Sequence, residues 1–113
     1  MSRRDDSVPM RHMLDHAREV VAMVRGRTRS DLDTDRMFQL ALTRLIEILG
    51  EAANRVTPAG QSRYPEIPWP KIGSARNRII HGYDAVNYDV VWDIATLEVP
   101  ALISALERAL PGH

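Results

Sequence analysis

Apolar residues recur at steps of three and four over most of this chain, and this spacing constrains the fold more than any other feature of the sequence. Between Pro9 and Gly26 the apolar positions form a single stripe, which leaves charged residues such as Asp15 and Arg18 on the opposite side. The stripe consists of Met10, Met13, Leu14, Ala17, Val20, Val21 and Val24. This pattern predicts an amphipathic helix that ends at Gly26.

A longer apolar pattern follows, from N-cap candidates at residues 30–34 to Val56. Its apolar positions cover more than one stripe: Met37, Phe38, Leu40, Ala41, Leu42, Leu45, Ile46, Ile48, Leu49, Ala52, Ala53 and Val56. We therefore expect this helix to be central in a bundle or shared with a second subunit. Gly50 lies inside it, at a cost of about 1 kcal/mol relative to alanine, so we expect another backbone to approach closely there.

Proline and glycine residues recur in the second half of the chain and mark the boundaries of its predicted elements. Residues 57–66 are predicted to form a loop, because Pro58 and Gly60 break the helical pattern. A third helix is predicted from residues 68–70 to Gly82, since proline is tolerated in a first turn.

After a turn at residues 84–87, Asn87 or Asp89 can cap a last helix, and Pro100 should kink it. These elements predict an all-α fold, an antiparallel up-and-down bundle of four main helices, with no convincing strand. Residues 9–113 would form this bundle, and residues 1–8 would be a disordered leader.

Composition narrows the class of protein. The chain has no cysteine, which excludes disulfides, thiolate zinc sites and cysteine nucleophiles. The lack of cysteine also suits a cytoplasmic protein, which we predict; no apolar run is long enough to cross a membrane, and none resembles a signal peptide. The formal net charge is zero, which argues against nonspecific coating of nucleic acid but leaves room for a local basic patch.

The stretch RNRIIHGY at residues 76–83 concentrates the residues best suited to chemistry. If it is helical, Asn77 lies four residues before His81 and shares its face, while Arg78 flanks it from three residues before. Arg76 lies five residues before His81, about 140° round the helix. It would reach the same substrate only through its long side chain or by distortion of the helix.

These residue types suit cleavage of a phosphodiester bond in RNA. His81 can move a proton near neutral pH, and the Arg76 guanidinium can stabilise negative charge that develops on phosphorus. Attack by the RNA 2′-hydroxyl needs neither a metal nor another cofactor, but it needs an acid and a base, so a two-fold dimer is expected. From spacing alone, however, a histidine stabilised by a helix C-terminus beside solvated arginines is the favoured interpretation.

Other polar residues are open to two interpretations. His12 and His16 are four apart, a spacing that can hold a metal, but no third ligand is evident and a solvated helix face is favoured. Glu51 and Asn54 lie on a largely apolar helix. They would either line a cleft or hydrogen-bond within the bundle, and the sequence does not decide between these roles.

Arg76-x4-His81-x-Tyr83 resembles the R-x4-H-x-Y signature of HepT toxins, which belong to the HEPN superfamily of helical ribonucleases. The resemblance extends to flanking segments at residues 48–54, 64–69 and 91–94, and covers nearly the whole chain beyond the leader.

The resemblance implies a homodimer whose two motifs meet at a cleft and form a composite, metal-independent ribonuclease site. Arg76 and His81 would be the catalytic pair, with Asn77 and Arg78 in support and tRNA or mRNA as substrate. It also implies a partner, an MntA-like minimal nucleotidyltransferase antitoxin, which would silence the toxin by transferring AMP to Tyr83. An alternative is a non-catalytic helical protein that binds and regulates such a nucleotidyltransferase.

Overall fold

Helices account for most of the structure and follow the apolar stripes of the sequence. The structure is a computed structural model that describes residues 5–81 and 85–112, and His81 by its backbone alone. In chain order the elements are α1 (Ser7–Val24), α2 (Asp31–Thr34), α3 (Arg36–Asn54), α4 (Pro58–Arg63), α5 (Trp69–Gly73), α6 (Ala75–Ile79), β1 (Ile80–His81), β2 (Ala85–Val86), α7 (Tyr88–Asp93), a π-helical segment (Ile94–Glu98) and α8 (Val99–Ala109). The predicted all-α class is confirmed, although the helices do not divide as predicted.

The hydrophobic core lies where α1 packs against α3 and α8. The largest of its fully buried side chains are all apolar: Met10, Met13, Val20, Leu32, Leu42, Ile46, Leu49, Ile67, Ile79, Val91, Val99 and Leu106. Burial of each such side chain contributes about 1.5–3 kcal/mol. Within residues 5–81 and 85–112, none of the helices combines the length and the apolar character that a bilayer crossing requires.

The first helix begins at Ser7, two residues before its predicted start. The Asp5 carboxylate accepts a hydrogen bond from the Ser7 backbone N–H at 3.0 Å. The Asp6 carboxylate accepts hydrogen bonds from the Thr57 backbone N–H and hydroxyl at 2.9 and 2.5 Å. Residues 5–8 of the predicted leader therefore take part in the fold, and residues 1–4 lie outside the described part of the chain.

Two polar contacts fix the start of α3. The Asp35 carboxylate accepts a hydrogen bond from the Phe38 backbone N–H at 3.0 Å, a capping contact that contributes about 1 kcal/mol. Arg27 donates to the same carboxylate at 2.7 Å and lies over the Phe38 ring, 4.1 Å from its centroid. The cap thus lies at Asp35, and the short helix α2 is separate from α3.

Gly50 allows α5 to approach α3 closely, as predicted. A Cβ at Gly50 would lie 2.8 Å from the backbone oxygen of Ile72, which is closer than van der Waals contact permits. The absence of a side chain therefore sets the distance between these two helices, and the expected close approach of another backbone is confirmed.

Residues 58–63 form α4, where a loop was predicted. The Thr57 hydroxyl accepts a hydrogen bond from the Gly60 backbone N–H at 3.1 Å, and Pro58 occupies the first turn, where its missing N–H has no cost. Pro58 and Gly60 therefore do not prevent a helix here, and the loop prediction is wrong for these residues.

The last helical stretch, from α7 to α8, contains a π-helical segment next to a proline. The Val99 backbone N–H donates to the Ile94 carbonyl, five residues back, which is the π-helical pattern. Pro100 follows immediately, in the first turn of α8. A kink was predicted at Pro100, and the irregularity takes the form of a π-helical segment just before it.

Candidate functional site

The motif-bearing segment consists of two short helices rather than the single helix predicted from residues 68–70 to Gly82. The break lies at Ser74, whose φ of −98° and ψ of 13° depart from helical values. The Asn54 amide donates a hydrogen bond to the Gly73 carbonyl at 3.0 Å, and the Asn54 Oδ1 occupies the space that a Gly73 Cβ would need. This contact ties the end of α5 to α3 and leaves α6 free to take a new direction.

The motif then leaves the helix before it reaches the histidine. Ile80 is extended, with φ −83° and ψ 127°, and β1 pairs antiparallel with β2, so that His81 lies opposite Ala85. The Asn87 backbone N–H donates to the Ile79 carbonyl at 2.7 Å, next to the paired strands. His81 therefore lies on a strand, and the predicted helical face shared by Asn77 and His81 is wrong.

The two arginines of α6 have different surroundings. Arg76 is exposed, and within the described part of the chain its guanidinium has no ion-pair partner. Arg78 is half-buried and donates two hydrogen bonds to the Glu98 carboxylate, at 2.8 and 2.6 Å. Arg76 is therefore the guanidinium available to an anionic ligand, whereas the charge of Arg78 is already neutralised.

Glu98, at the end of the π-helical segment, is a member of the site that the sequence did not reveal. Its hydrogen bond with Arg78 lowers the pKa of Glu98, and the same hydrogen bond raises the pKa of Arg78. The Lys71 Nζ lies 3.7 Å from the same carboxylate. Glu98 is therefore ionised near neutral pH, and its carboxylate holds both the Arg78 guanidinium and the Lys71 ammonium.

A largely apolar groove of about 450 Å³ adjoins the Arg78–Glu98 pair. Residues from α3, α5, α6, α8 and the π-helical segment line it, including Ala75 and Leu97. The Leu97 side chain, which lines the groove, is 69% exposed and extends its apolar surface. The surface next to α6 thus combines an apolar floor with a charged rim.

The other site residues predicted from the sequence have different surroundings in the structure. Asn77 is exposed on α6, while the His81 side chain and Tyr83 lie outside the described residues. Asn54 hydrogen-bonds within the bundle, as one of its two interpretations predicted. Glu51 is exposed and pairs with Arg44 at 3.2 Å along α3. These two residues therefore make structural contacts with other parts of the chain.

The histidine pair on α1 does not assemble a ligand set. His16 Nδ1 lies 2.8 Å from the Glu19 carboxylate, and His12 is exposed. Across residues 5–81 and 85–112, no three histidine, cysteine, aspartate or glutamate side chains lie close enough together to hold a metal ion. The structure thus supplies no third ligand to the pair in this part of the chain.

Sequence comparisons find similar proteins whose names describe ribonucleases, the class of enzyme that the motif indicates. A putative RNase of Methanocaldococcus jannaschii is 26% identical over 110 residues, which is 97% of this chain and 91% of that protein. A putative RNase of Caldanaerobacter subterraneus is 28% identical, over 89% of this chain and 90% of its own length. A probable ribonuclease HepT of Thermococcus cleftensis is 29% identical, over 84% and 90%.

No solved structure matches the chain significantly. The model of the HepT-like ribonuclease family matches residues 13–109, a span that runs from the first turns of α1 to the end of α8 and includes the whole motif. The chain therefore belongs to the HepT-like ribonuclease family.

Proposed function

We propose that this protein is the toxin of a toxin–antitoxin system, a metal-independent endoribonuclease with Arg76 and His81 as its catalytic pair. One observation carries the proposal: Arg76 is exposed and has no ion-pair partner among the described residues, and it lies on a helix that leads directly into the strand bearing His81. A guanidinium in this state can bind a phosphate without first breaking an internal ion pair.

The proposed reaction is an internal phosphoryl transfer in RNA, from the 5′-oxygen to the 2′-oxygen. The 2′-oxygen attacks phosphorus and forms the P–O2′ bond while the P–O5′ bond breaks. One imidazole takes the 2′-hydroxyl proton and a protonated imidazole gives a proton to the departing 5′-oxygen, so that a cyclic phosphate and a 5′-hydroxyl result. Arg76 stabilises the added negative charge on the phosphoryl oxygens, and Asn77 supports it.

A homodimer follows from this chemistry, because the motif supplies one histidine per chain and the reaction uses an acid and a base. The exposed apolar surface beside α6 supports such an assembly, since the groove and Leu97 continue directly from the Arg78–Glu98 pair. On α3, Met37 and Leu40 are 82% and 54% exposed and offer further apolar area for a second copy. In such a dimer, each chain would contribute its Arg76 and His81 to one RNA site.

We further propose that an MntA-like minimal nucleotidyltransferase antitoxin silences the enzyme at Tyr83. The tyrosine oxygen would attack the α-phosphorus of ATP, and pyrophosphate would leave as AMP becomes attached. The added phosphate brings negative charge and bulk close to the proposed RNA site, so RNA would be repelled. The proposed compartment of the pair is the cytoplasm, where tRNA or mRNA is available.

Induction of the chain without its partner tests the ribonuclease proposal. We expect growth arrest and cleaved RNA with the wild-type protein and neither with His81→Ala. The matched control is His12→Ala, which removes an exposed histidine from α1 and should behave as wild type. Purified proteins should give the same order with chelator present.

Equal behaviour of the wild-type and His81→Ala proteins, both folded by circular dichroism, would contradict the ribonuclease proposal. It would favour the alternative, a non-catalytic partner that regulates a nucleotidyltransferase, and binding to that partner would then be measured. For the modification, mass spectrometry after incubation with the nucleotidyltransferase and ATP should show AMP on the wild-type chain and on Tyr88→Phe but not on Tyr83→Phe.

A further inference from the structure

The two arginines of α6 point in nearly opposite directions, and this follows from helix geometry. Residues two apart on an α-helix are separated by about 200° round the axis. When Arg78 is held against the π-helical segment, Arg76 is turned to the far side, where it is exposed. The rotation of α6 that places Arg78 against the π-helical segment therefore turns Arg76 away from it.

The helix α6 cannot hold this orientation by itself. It has five residues, far fewer than an isolated helix needs for stability in water. The Asn87–Ile79 backbone hydrogen bond holds its end, and the Asn54–Gly73 contact holds the chain just before it. The buried side chains of Ala75 and Ile79 hold one face of the helix against the core. Arg78, the fourth of its five residues, adds a directed polar contact beside that face through Glu98.

The Arg78–Glu98 pair has the geometry that such a restraint requires. Both nitrogens of the guanidinium fork meet both carboxylate oxygens, an arrangement that fixes direction as well as distance. The two side chains are about one-quarter exposed, at 27% and 26%, so water screens the pair less than it screens a surface pair. The π-helical turn adds a residue to the helix just before Pro100, and Glu98 is the last residue of that turn.

We propose that Glu98 is a positioning residue for the ribonuclease site: it holds Arg78, and through Arg78 it adds to the core contacts of Ala75 and Ile79 in setting the rotation of α6 that presents Arg76 to RNA. Glu98 also neutralises Arg78, which keeps a second guanidinium from binding the RNA phosphates unproductively. This inference rests on the proposed function, because RNA is the ligand that Arg76 would bind. It assigns Glu98 no contact with the substrate.

The experiment compares Glu98→Gln and Glu98→Ala with Glu107→Gln. Glu107 is the matched control, because it forms another arginine–glutamate pair, with Arg18 at 2.9 Å, that joins α8 to α1 far along the helix from α6. All the proteins are assayed well below their unfolding temperatures, so that differences in global stability do not change the folded fraction. Amide hydrogen exchange, RNA cleavage and RNA binding are measured on each.

The Glu98 variants should lose exchange protection in α6 while α1 and α3 keep theirs. We expect kcat to fall about tenfold in Glu98→Ala, since a small displacement of a catalytic group has effects of that order or more. KM should stay equal or decrease, because the freed Arg78 gains a phosphate contact. For binding of a non-cleavable 2′-O-methyl RNA, the slope of log K against log salt should become steeper by about 0.7, one added contact to a single strand. The charge-swapped double variant Arg78→Glu with Glu98→Arg should recover part of kcat.

A purely structural role for Glu98 would move neither the salt slope nor the balance of kcat and KM. Wild-type kcat in folded Glu98→Ala, or unchanged exchange in α6, would overturn the inference. If the wild-type chain neither binds nor cleaves RNA, the proposed function fails and the catalytic part of the inference fails with it. The exchange data then still decide whether Glu98 orients α6, so the two failures are distinguishable.

Discussion

Asn54 in α3 and Gly73 at the end of α5 form a contact at the point where the chain turns from α5 to α6. The Asn54 amide donates to the Gly73 carbonyl at 3.0 Å, and its Oδ1 fills the position where any side chain at residue 73 would begin. One side chain of α3 thereby binds the last residue of α5. The chain turns at Ser74 and starts α6 in a new direction, so Asn54 helps to determine where Arg76 lies.

Replacement of Asn54 should therefore destabilise the fold in an order that depends on its donor group. Asn54→Ala loses one hydrogen bond at an exposed site, which should lower the free energy of unfolding by about 1 kcal/mol. Asn54→Asp keeps the shape but sets a carboxylate against the Gly73 carbonyl oxygen, so it should be the less stable variant at pH 7. Urea denaturation followed by circular dichroism measures both.

The pH dependence of the stability of Asn54→Asp provides an internal control. Below about pH 3.9 the carboxyl is protonated and can donate again, so Asn54→Asp should regain stability relative to Asn54→Ala as the pH falls. Equal stability of the two variants at every pH would show that the donated hydrogen bond is not what holds α5 in place.

Gly50→Ala separates helix propensity from packing, because the two effects have opposite signs. In an unhindered helix, alanine is more stable than glycine by about 1 kcal/mol. Here the new Cβ would lie 2.8 Å from the Ile72 carbonyl oxygen, and that oxygen belongs to the backbone of α5, which Asn54 also holds. We expect Gly50→Ala to lower the free energy of unfolding by about 1–3 kcal/mol.

A substitution on the exposed side of the same helix calibrates this result. Ala41→Gly removes a Cβ that faces solvent, so it should lower the free energy of unfolding only by the propensity difference, about 1 kcal/mol. If Gly50→Ala proves more stable than wild type in the same denaturation experiment, the close approach of α5 to α3 is wrong.

The Glu98–Arg78 pair should make stability depend on pH at the acidic end. The pKa of Glu98 in the folded protein lies below its ordinary value because of the hydrogen bond from Arg78. The stabilisation is therefore fully present above the ordinary glutamate pKa of about 4.3 and is lost as the pH falls through the lowered value. At pH 7 the wild type should exceed Glu98→Gln in free energy of unfolding by about 1 kcal/mol, a figure discounted for solvent screening.

Denaturation at a series of pH values checks this linkage. The difference between wild type and Glu98→Gln should shrink steadily below about pH 4.3 and approach zero once both side chains are neutral. In an Arg78→Met background the difference should be smaller at every pH, because the main partner that lowers the pKa of Glu98 is absent and only Lys71 remains. A difference that persists unchanged in that background would assign the effect to another group.

The elements that the sequence predicts well are those set by nearby residues. The stripes that became α1 and α3, the cap at Asn87 and the role of Gly50 depend on local spacing and on one small residue. The helix α4 was predictable in principle, because a threonine cap followed by proline is a helix-start signal. The glycine two residues later concealed it.

The elements that the sequence did not predict depend on contacts between distant residues. Asn54 and Gly73 are 19 residues apart, and Arg78 and Glu98 are 20 apart. Neither spacing carries a signal that periodicity can detect. The change from helix to strand after Ile79 likewise depends on pairing with β2, which begins at Ala85. The single helix predicted to carry both Arg76 and His81 was therefore wrong, because Ile80 and His81 lie on a strand.

Arg76 and Arg78 should respond differently to removal of their side chains. Arg76 is exposed and has no ion-pair partner in the described residues, so Arg76→Ala should change the free energy of unfolding by less than about 0.5 kcal/mol. If its guanidinium stabilises charge on phosphorus, RNA cleavage should fall by about 100-fold or more. Arg78→Ala leaves the Glu98 carboxylate half-buried with only Lys71 nearby, so it should lower the free energy of unfolding by about 1–2 kcal/mol.

Lysine substitutions refine the distinction, because lysine keeps the charge but not the planar fork. Arg76→Lys should retain part of the RNA affinity and recover only part of kcat, and Arg78→Lys should recover part of the stability. Arg63→Ala, which removes an exposed arginine at the end of α4, serves as the control and should alter neither quantity strongly. Loss of stability in Arg76→Ala together with full cleavage activity in the folded protein would remove Arg76 from the catalytic pair, and Arg78 would become the arginine to test next.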